Sequence, residues 1–459
     1  MPDLASDLSF VSAPGVFAPG HLGELTQVVP FEMIDEVLTD QGGGEQRVRR
    51  LPSRVVVYLL LAGGLFEHLG WAQVWARLTA SLSGSHPVPA GASLTEAMRR
   101  VGIGPVKALF DVLKGSAATT ARQSAWFAGR LLVAIDGTQI AVPDSAANLV
   151  AFPKPVAGPN GPVGYPMLRL VAVVACGTRT VIEAVFGTDK VGELTYAARL
   201  TATGALHAGM LLLADRNFAT YAFLAQVAAT GSDLLVRAKT GGNAMKLPAT
   251  RHLADGSFLT RAGQVTIRVI DAQVTATTAD GVVQAGTYRL LTTLLDPHEA
   301  PALALVRLYH QRWEIETSYA ELKSTMLGGR VLRARHPAAV VQETWALLAG
   351  YQALRTAMAD AVLARPDVDP DRASFTIALN TARDQVIRAA GIITDTVIDL
   401  VGPIGTAVLD ALLPPPRPRI RARIIKRAIS KYQARNRHAD RRSRPVTITT
   451  TLLTPRPGP

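Results

Sequence analysis

Apolar residues first recur along this chain at helical spacing and then gather into short unbroken runs. Between residues 31 and 115 they repeat every three or four positions, which predicts helices over 31–40, 52–69, 72–82, 94–101 and 105–114. Pro52 stands at a helix start, where a missing N–H costs nothing, and Ser93 followed by Glu96 reads as a capping box. The turn from Val101 to Pro105 (VGIGP) separates two short helices, as in a helix-turn-helix pair or any helical bundle. From Leu131 the texture changes. Runs at 131–135, 168–175, 180–186, 210–214 and 233–238 predict buried strands, the first three as antiparallel neighbours, with helices over 192–206 and 218–229. Alternating runs at 265–270 and 288–295 then suggest a β-rich insertion over 239–298, after which helices resume from Ala300 through 338–358 and 375–390.

Composition narrows the classes. The 459 residues, 48% of them apolar, suit two or three globular domains. The longest apolar run, 55–66, is too short for the ~20 residues of a bilayer-spanning helix. No basic segment followed by an apolar stretch opens the chain, so a cytoplasmic protein without a signal peptide or membrane partner is expected. One cysteine excludes an intramolecular disulfide, and the nine histidines lack zinc-ligand spacing. Charge is concentrated in one place. Residues 417–444 carry twelve Lys or Arg and one acid, a net +11 of the chain's +12, after a proline-rich break at 413–418. Such a block is a solvated terminus or a phosphate-binding arm, and the second reading makes it a separate DNA-binding tail.

Three positions carry candidate chemistry. Asp136 closes an apolar strand and precedes Gly137 and Thr138; Asp215 closes another and precedes Arg216 and Asn217. A carboxylate at the end of a buried strand is desolvated unless a cation meets it. Further on, Tyr309, Arg312, Glu316 and Lys323 follow a Tyr-x2-Arg-x3-Glu-x6-Lys spacing. On a uniform α-helix they fall at about 0°, 300°, 340° and 320°, a single narrow face. A solvated helix scatters its charges and a core helix fills such a stripe with Leu or Val, so the stripe reads as functional. Two Asp and one Glu in this order are able to hold two divalent ions about 4 Å apart.

These residues resemble the signature of bacterial transposases of the insertion-sequence-4 type, within the DDE class. The resemblance rests on Asp136-Gly-Thr, on Asp215-Arg-Asn-Phe and on the Tyr309/Arg312/Glu316/Lys323 set, and spans roughly residues 20 to 440. It implies an α/β fold: an RNase H-like core with a β-rich insertion, preceded by an all-α N-terminal domain. In that plan residues 1–30 form a flexible N-terminus and 31–118 a helical DNA-binding domain. The core is split into 126–238 and 299–412 around the insertion at 239–298, and 413–459 is the tail. Asp136, Asp215 and Glu316 become the catalytic ligands of two Mg²⁺, with Mn²⁺ able to substitute. Tyr309, Arg312, Lys323 and Arg216 would contact DNA at the scissile end, with Arg423, Lys426 and Arg427 of the tail adding phosphate contacts. The implied activity is cleavage at the inverted-repeat ends of an insertion sequence and joining of the 3′-hydroxyl to target DNA. The partners are then double-stranded DNA and a second copy in a synaptic dimer, with nucleoid association when bound.

Alternatives remain at this stage. A catalytically silent DNA-binding relative, or an RNase H-like nuclease without strand transfer, would share much of the pattern. Glu193 is a possible fourth acid or a helix-dipole partner. His310 is expected off the active face and Trp313 in the core, and the insertion holds no Trp, with Tyr288 and Phe258 read as core residues.

Overall fold

The computed structural model describes residues 20–42, 49–82, 86–115, 123–156, 161–241, 244–390 and 402–415, and in the tail 419–420, 425–427, 430–435, 442 and 444–453. Five helices open the described chain: α1 (Phe31–Asp40), α2 (Ser53–Leu65), α3 (Trp71–Leu78), α4 (Gly91–Val101) and α5 (Gly104–Leu113). Pro30 and Pro52 stand as N-caps of α1 and α2. The expected capping box does not form. α4 begins at Gly91, which puts Ser93 inside the helix, and Glu96 instead accepts two hydrogen bonds from Arg99 at 2.9 and 3.0 Å. Gly102, at φ +71°, ends α4 and turns the chain straight into α5.

Every residue of α2 except Arg54 is buried, because α2 packs against the long α11 (Pro337–Leu363) of the far half of the chain. The α4–α5 pair rests on the same helix: Gln342 donates to the Met98 carbonyl at 2.9 Å, and the Phe110 and Trp345 rings lie 5.1 Å apart. The N-terminal helices therefore share one hydrophobic core with the C-terminal ones. Residues 20–29 belong to it too, which corrects the expectation of flexibility up to residue 30. Leu22, Leu25 and Val29 are at most 1% exposed, and the Glu24 carboxylate accepts from the Ile404 N–H at the start of a late helix, Pro403–Asp410. Residues 1–19 lie outside the described residues.

The central sheet starts with β1 (Trp126–Phe127) and β2 (Arg130–Ala141), followed by α6 (Ala146–Ala151), β3 (Met167–Ala175) and β4 (Val181–Thr188). Two crossovers follow, through α7 (Glu193–Thr201) to β5 (Met210–Ala214) and through α8 (Tyr221–Ala229) to β6 (Asp233–Arg237). β2, β3 and β4 are antiparallel neighbours, while β2, β5 and β6 run parallel, giving the order β4-β3-β2-β5-β6. This is the RNase H-like arrangement. The strands read as unbroken apolar runs because both faces are covered. Along β3, Leu168, Leu170, Ala172 and Val174 join the helical core, and Val171, Val173 and Ala175 join a second core with α7 and α8.

The insertion holds β7 (Arg251–His252), β8 (Phe258–Ala262), β9 (Val265–Thr278) and β10 (Val283–Thr292). It is β-rich as expected, yet continuous with the core sheet, since β10 pairs antiparallel with β6. α9 (Ala302–Leu308), α10 (Trp313–Ala320), α11, α12 (Phe375–Arg388) and α13 (Pro403–Asp410) complete the helical layer. The tail supplies β11 (Arg419–Ile420), β12 (Ile425–Arg427), β13 (Ser430–Arg435) and β14 (Arg444–Leu452). It is not a separate arm throughout. β14 pairs antiparallel with β9 from Val446↔Thr278 to Leu452↔Ala272, and β11 pairs with β14. Among the described residues the main sheet thus has twelve strands, with β12–β13 a hairpin of its own. No helix among the described residues is long and apolar enough to cross a membrane.

Arg268 ties the insertion to the core. Its side chain is wholly buried, donates to Ser257 Oγ and to the Ala300 carbonyl, both at 2.7 Å, and pairs with Asp255. Arg268→Ala strands these acceptors, and a loss of about 3 kcal/mol in stability is expected. Urea unfolding of the two proteins checks it; an unchanged midpoint would remove Arg268 from this role.

Candidate active site

Pairing in the sheet brings the two aspartates together. Ile135 of β2 lies beside Ala214 of β5, so Asp136 and Asp215 follow the last parallel pair on the same side. Asp215 does close its strand, but Asp136 does not, because β2 runs on to Ala141 against β3. Asp136 Oδ1 accepts from the Gly137 N–H at 2.8 Å, and Asp215 Oδ1 accepts from the Asn217 N–H at 2.7 Å. Glu193, in the first turn of α7, is the fourth acid. A Cβ on Gly137 would fall 2.1 Å from its Oε1, so a side chain at 137 would push this carboxylate out of its present position. Burial raises Asp136 to about 7, with the negative charges of Glu193 and Asp215 adding to the rise and the Gly137 N–H and Arg312 opposing it. Glu193 is raised as well, by burial and then by Asp215. At Asp136, burial and two neighbouring carboxylates outweigh the Gly137 N–H and Arg312.

Glu316 approaches from the helical layer, and that layer is not one uniform helix. Tyr309–Arg312 form a 3₁₀ turn between α9 and α10, and Glu321–Met326 form a π-helical turn after α10. Tight and loose winding depart from the α-helix in opposite senses, and the four signature residues still meet the strand ends. The Tyr309 hydroxyl donates to the Ala214 carbonyl at 3.0 Å, one residue before Asp215. Lys323 Nζ donates to Thr138 Oγ1 at 3.0 Å, and burial lowers the Lys323 pKa. Arg312 Nη2 donates to Glu316 Oε1 at 2.8 Å, with Nη1 4.0 Å from Asp136 Oδ2. Arg312 is buried, and its Nε has no hydrogen-bond partner among the described residues.

Sequence reasoning missed the residues that hold this helix down. Tyr319 is buried, donates to the Asp136 carbonyl at 2.6 Å and accepts from the Ala172 N–H at 3.1 Å, spanning β2 and β3 beneath the site. Arg179, at φ +59° in the β3–β4 turn, donates to Glu314 at 2.5 Å, Glu321 at 3.3 Å and Asp371 at 2.6 Å. Glu321 is also met by Arg355 and by the Tyr351 hydroxyl at 3.0 Å. Gly177-Thr178-Arg179 reads in sequence as a routine turn, so nothing local signals this cluster.

A cavity of about 780 Å³ opens beside Asp215 and Glu316, lined also by Arg216, Arg237, Tyr288 and Arg312, with Ile448–Thr450 of β14 forming a wall. Three expectations are corrected here. Trp313 is not in the core: it is 49% exposed and lines the cavity, with the Arg312 guanidinium 5.2 Å from its ring centroid. His310 lines the cavity instead of turning away from it. Tyr288 lines it as well, under the Arg237 guanidinium at 3.8 Å, whereas Phe258 is buried as expected. In the tail, Lys426 and Arg427 lie on β12, and Arg423 lies outside the described residues.

Among the described residues, no three acidic, histidine or cysteine side chains stand close enough to hold a metal ion as they are. The donor set nevertheless fits a hard divalent cation. Asp136 and Asp215 offer carboxylate oxygens, Glu193 adds a neighbouring carboxylate, and Glu316 stands nearby in the grip of Arg312.

Comparison with known proteins finds transposases. The family described as Insertion element 4 transposase N-terminal matches residues 19–111, and the Transposase DDE domain family matches 128–352. The transposase InsG for insertion sequence element IS4 of Escherichia coli (strain K12) is 26% identical over 87% of this chain and 91% of its own length. The putative transposase InsZ of the same organism is 28% identical over 44% of this chain and 67% of its own. Among solved structures, a piggyBac transposase synaptic complex with hairpin DNA aligns with 85% of this chain and 87% of its own at 10% identity and a TM-score of 0.44. With its helical N-terminal region, RNase H-like core and both family matches in register, this chain belongs to the insertion-sequence-4 transposases of the DDE class.

Proposed function

We propose that the chain cleaves DNA at the inverted-repeat ends of its insertion sequence and joins the freed 3′-hydroxyl to target DNA, with Asp136, Asp215 and Glu316 as the catalytic carboxylates. The observation that carries this is the placement of Asp136 and Asp215 side by side where the parallel pairing of β2 and β5 stops, with Glu316 near them on a clamped helix. Two Mg²⁺ ions, or Mn²⁺ in their place, would be held by these carboxylates and would supply activation of the attacking oxygen and stabilisation of the leaving one.

The remaining roles follow from the side chains. Arg312 carries a planar fork that suits a carboxylate or a phosphate equally, so a phosphate arriving in the cavity competes with Glu316 for it. Release of Glu316 from Arg312 completes the acidic set as the substrate enters. Lys323 and Arg216 add positive charge on either side, and the Tyr309 hydroxyl fixes the strand end that carries Asp215. Both cleavage and joining are in-line displacements at phosphorus, so one arrangement of residues serves both. Two DNA ends are brought together by at least a dimer, and Arg423, Lys426 and Arg427 add phosphate contacts from the tail.

Two experiments test this. In Mg²⁺ or Mn²⁺ the purified protein should nick DNA bearing its own terminal repeats. Asp136→Ala should abolish the nick while leaving the thermal midpoint unchanged or raised, because a buried carboxylate crowded by two others destabilises the fold. Undiminished cleavage by that variant would sink the assignment. The second isolates the tail charge without disturbing β14. Changing Lys426, Arg427, Lys431 and Arg435 together to Gln should lower the slope of log K against log salt by up to about 3.6 if all four meet phosphates. An unchanged slope would leave the β12–β13 hairpin without a role in DNA binding.

A further inference from the structure

β14 brings the last part of the chain back onto the catalytic sheet and places Ile448, Thr449 and Thr450 opposite the acids and arginines of the cavity. We propose that β14 is a DNA-binding wall, on which Thr450 and the adjoining backbone hold the sugar-phosphate of the DNA strand entering the cavity. The inference rests on the reading of that cavity as the place where DNA ends react.

The wall is fixed in place. Its ladder with β9 runs unbroken from Val446 to Leu452, the Leu453 N–H donates to the Asp271 carbonyl at 2.8 Å, and α9 packs on it from the catalytic side. Leu452 is partly buried against the main core. Strand alternation puts Ile448 and Thr450 on the same face as Leu452, and Thr447, Thr449 and Thr451 on the other.

The chemistry suits a phosphodiester and not a cation. Residues 441–459 contain no acid, so the strand offers hydroxyl and backbone donors without repelling phosphate, facing the carboxylates across the cavity. Among the described residues β11 pairs with β14 only at Arg444 and Pro445, which leaves the outer edge from Val446 onward unpaired by a strand. Arg444 is six residues from Thr450, about 20 Å along the strand. The basic segment therefore departs from and rejoins the sheet about six base-pair rises from the cavity, at a spacing that lets one duplex meet both.

Cysteine chemistry gives a direct test in the full-length chain. Cys176, the single native cysteine, is 3% exposed and burial pushes its thiol well up, so an introduced surface cysteine is the reactive one. The probe is a duplex ending in the terminal repeat found beside the gene, with a tether on a terminal phosphate that ends in a mixed disulfide, so that the cysteine thiolate displaces the small thiol by exchange. Thr450→Cys should form a disulfide with it at least about tenfold more than Thr447→Cys, which sits on the opposite face. Thr450→Val should weaken binding of the untethered duplex on the order of tenfold with an unchanged thermal midpoint, and Thr447→Val should not. Intact duplex binding with no preference for position 450 overturns the wall alone. Failure of the unsubstituted chain to bind the repeat duplex overturns the site reading, and the wall with it.

Discussion

The site depends on one buried ion cluster. Arg179 reaches from a turn at the edge of β3 and β4 to Glu314 and Glu321, and Arg355 and Tyr351 close on Glu321 from α11. At 100° per residue, Glu314 and Glu321 lie about 150° around the helix from Glu316. The acids on the back of the helix are thus neutralised by cations, while the one on the front lines the cavity and is held by Arg312. Desolvating so many charges costs stability that apolar side chains would not. What the cluster gives in return is position: a greasy helix slides and rotates on a sheet, whereas Arg179 accepts one register. Asp371 extends the same lock to the loop before α12.

The catalytic end of the sheet works by the opposite rule. Asp136 is driven up to about 7, first by burial and then by the neighbouring charges of Glu193 and Asp215. Gly137 leaves room for the Glu193 carboxylate, which a side chain at that position would displace. A fold selected only for stability would relieve this crowding with a second arginine. Arg312 relieves part of it, but its fork is already committed to Glu316, and its Nε stays unpartnered among the described residues. Paired charge behind the helix and crowded carboxylates in front of it are the two halves of one device, since the locked back fixes which face meets the strands.

How much of this the sequence carried depends on how local each feature is. The five core strands were legible, to within a few residues at most ends, because a strand covered on both faces is an unbroken apolar run, and an aspartate closing such a run stands out. The Tyr309–Lys323 stripe was legible through spacing, although its 3₁₀ and π-helical turns were not. Trp313 misled because an aromatic between charged residues is ordinarily core, and here it stacks with Arg312 at a cavity mouth. Arg179 gave no signal at all. Its partners lie 135 to 192 residues away, and no short window joins them.

β14 shows the same limit from the other side. Val446 to Leu452 is rich in β-branched residues and reads as a strand on its own, but its charged and proline-containing surroundings suggest an arm. Only the edge of β9, more than 160 residues earlier, gives it a partner. An exposed edge of that length invites pairing with another chain, and β14 covers it from within the same chain, moving the free edge among the described residues to β14 itself. The cover has a second consequence. Because β14 both completes the sheet and walls the cavity, the sheet edge cannot be closed without also narrowing the approach to Asp215 and Glu316. Stability at that edge and access to the carboxylates are therefore set by the same seven residues.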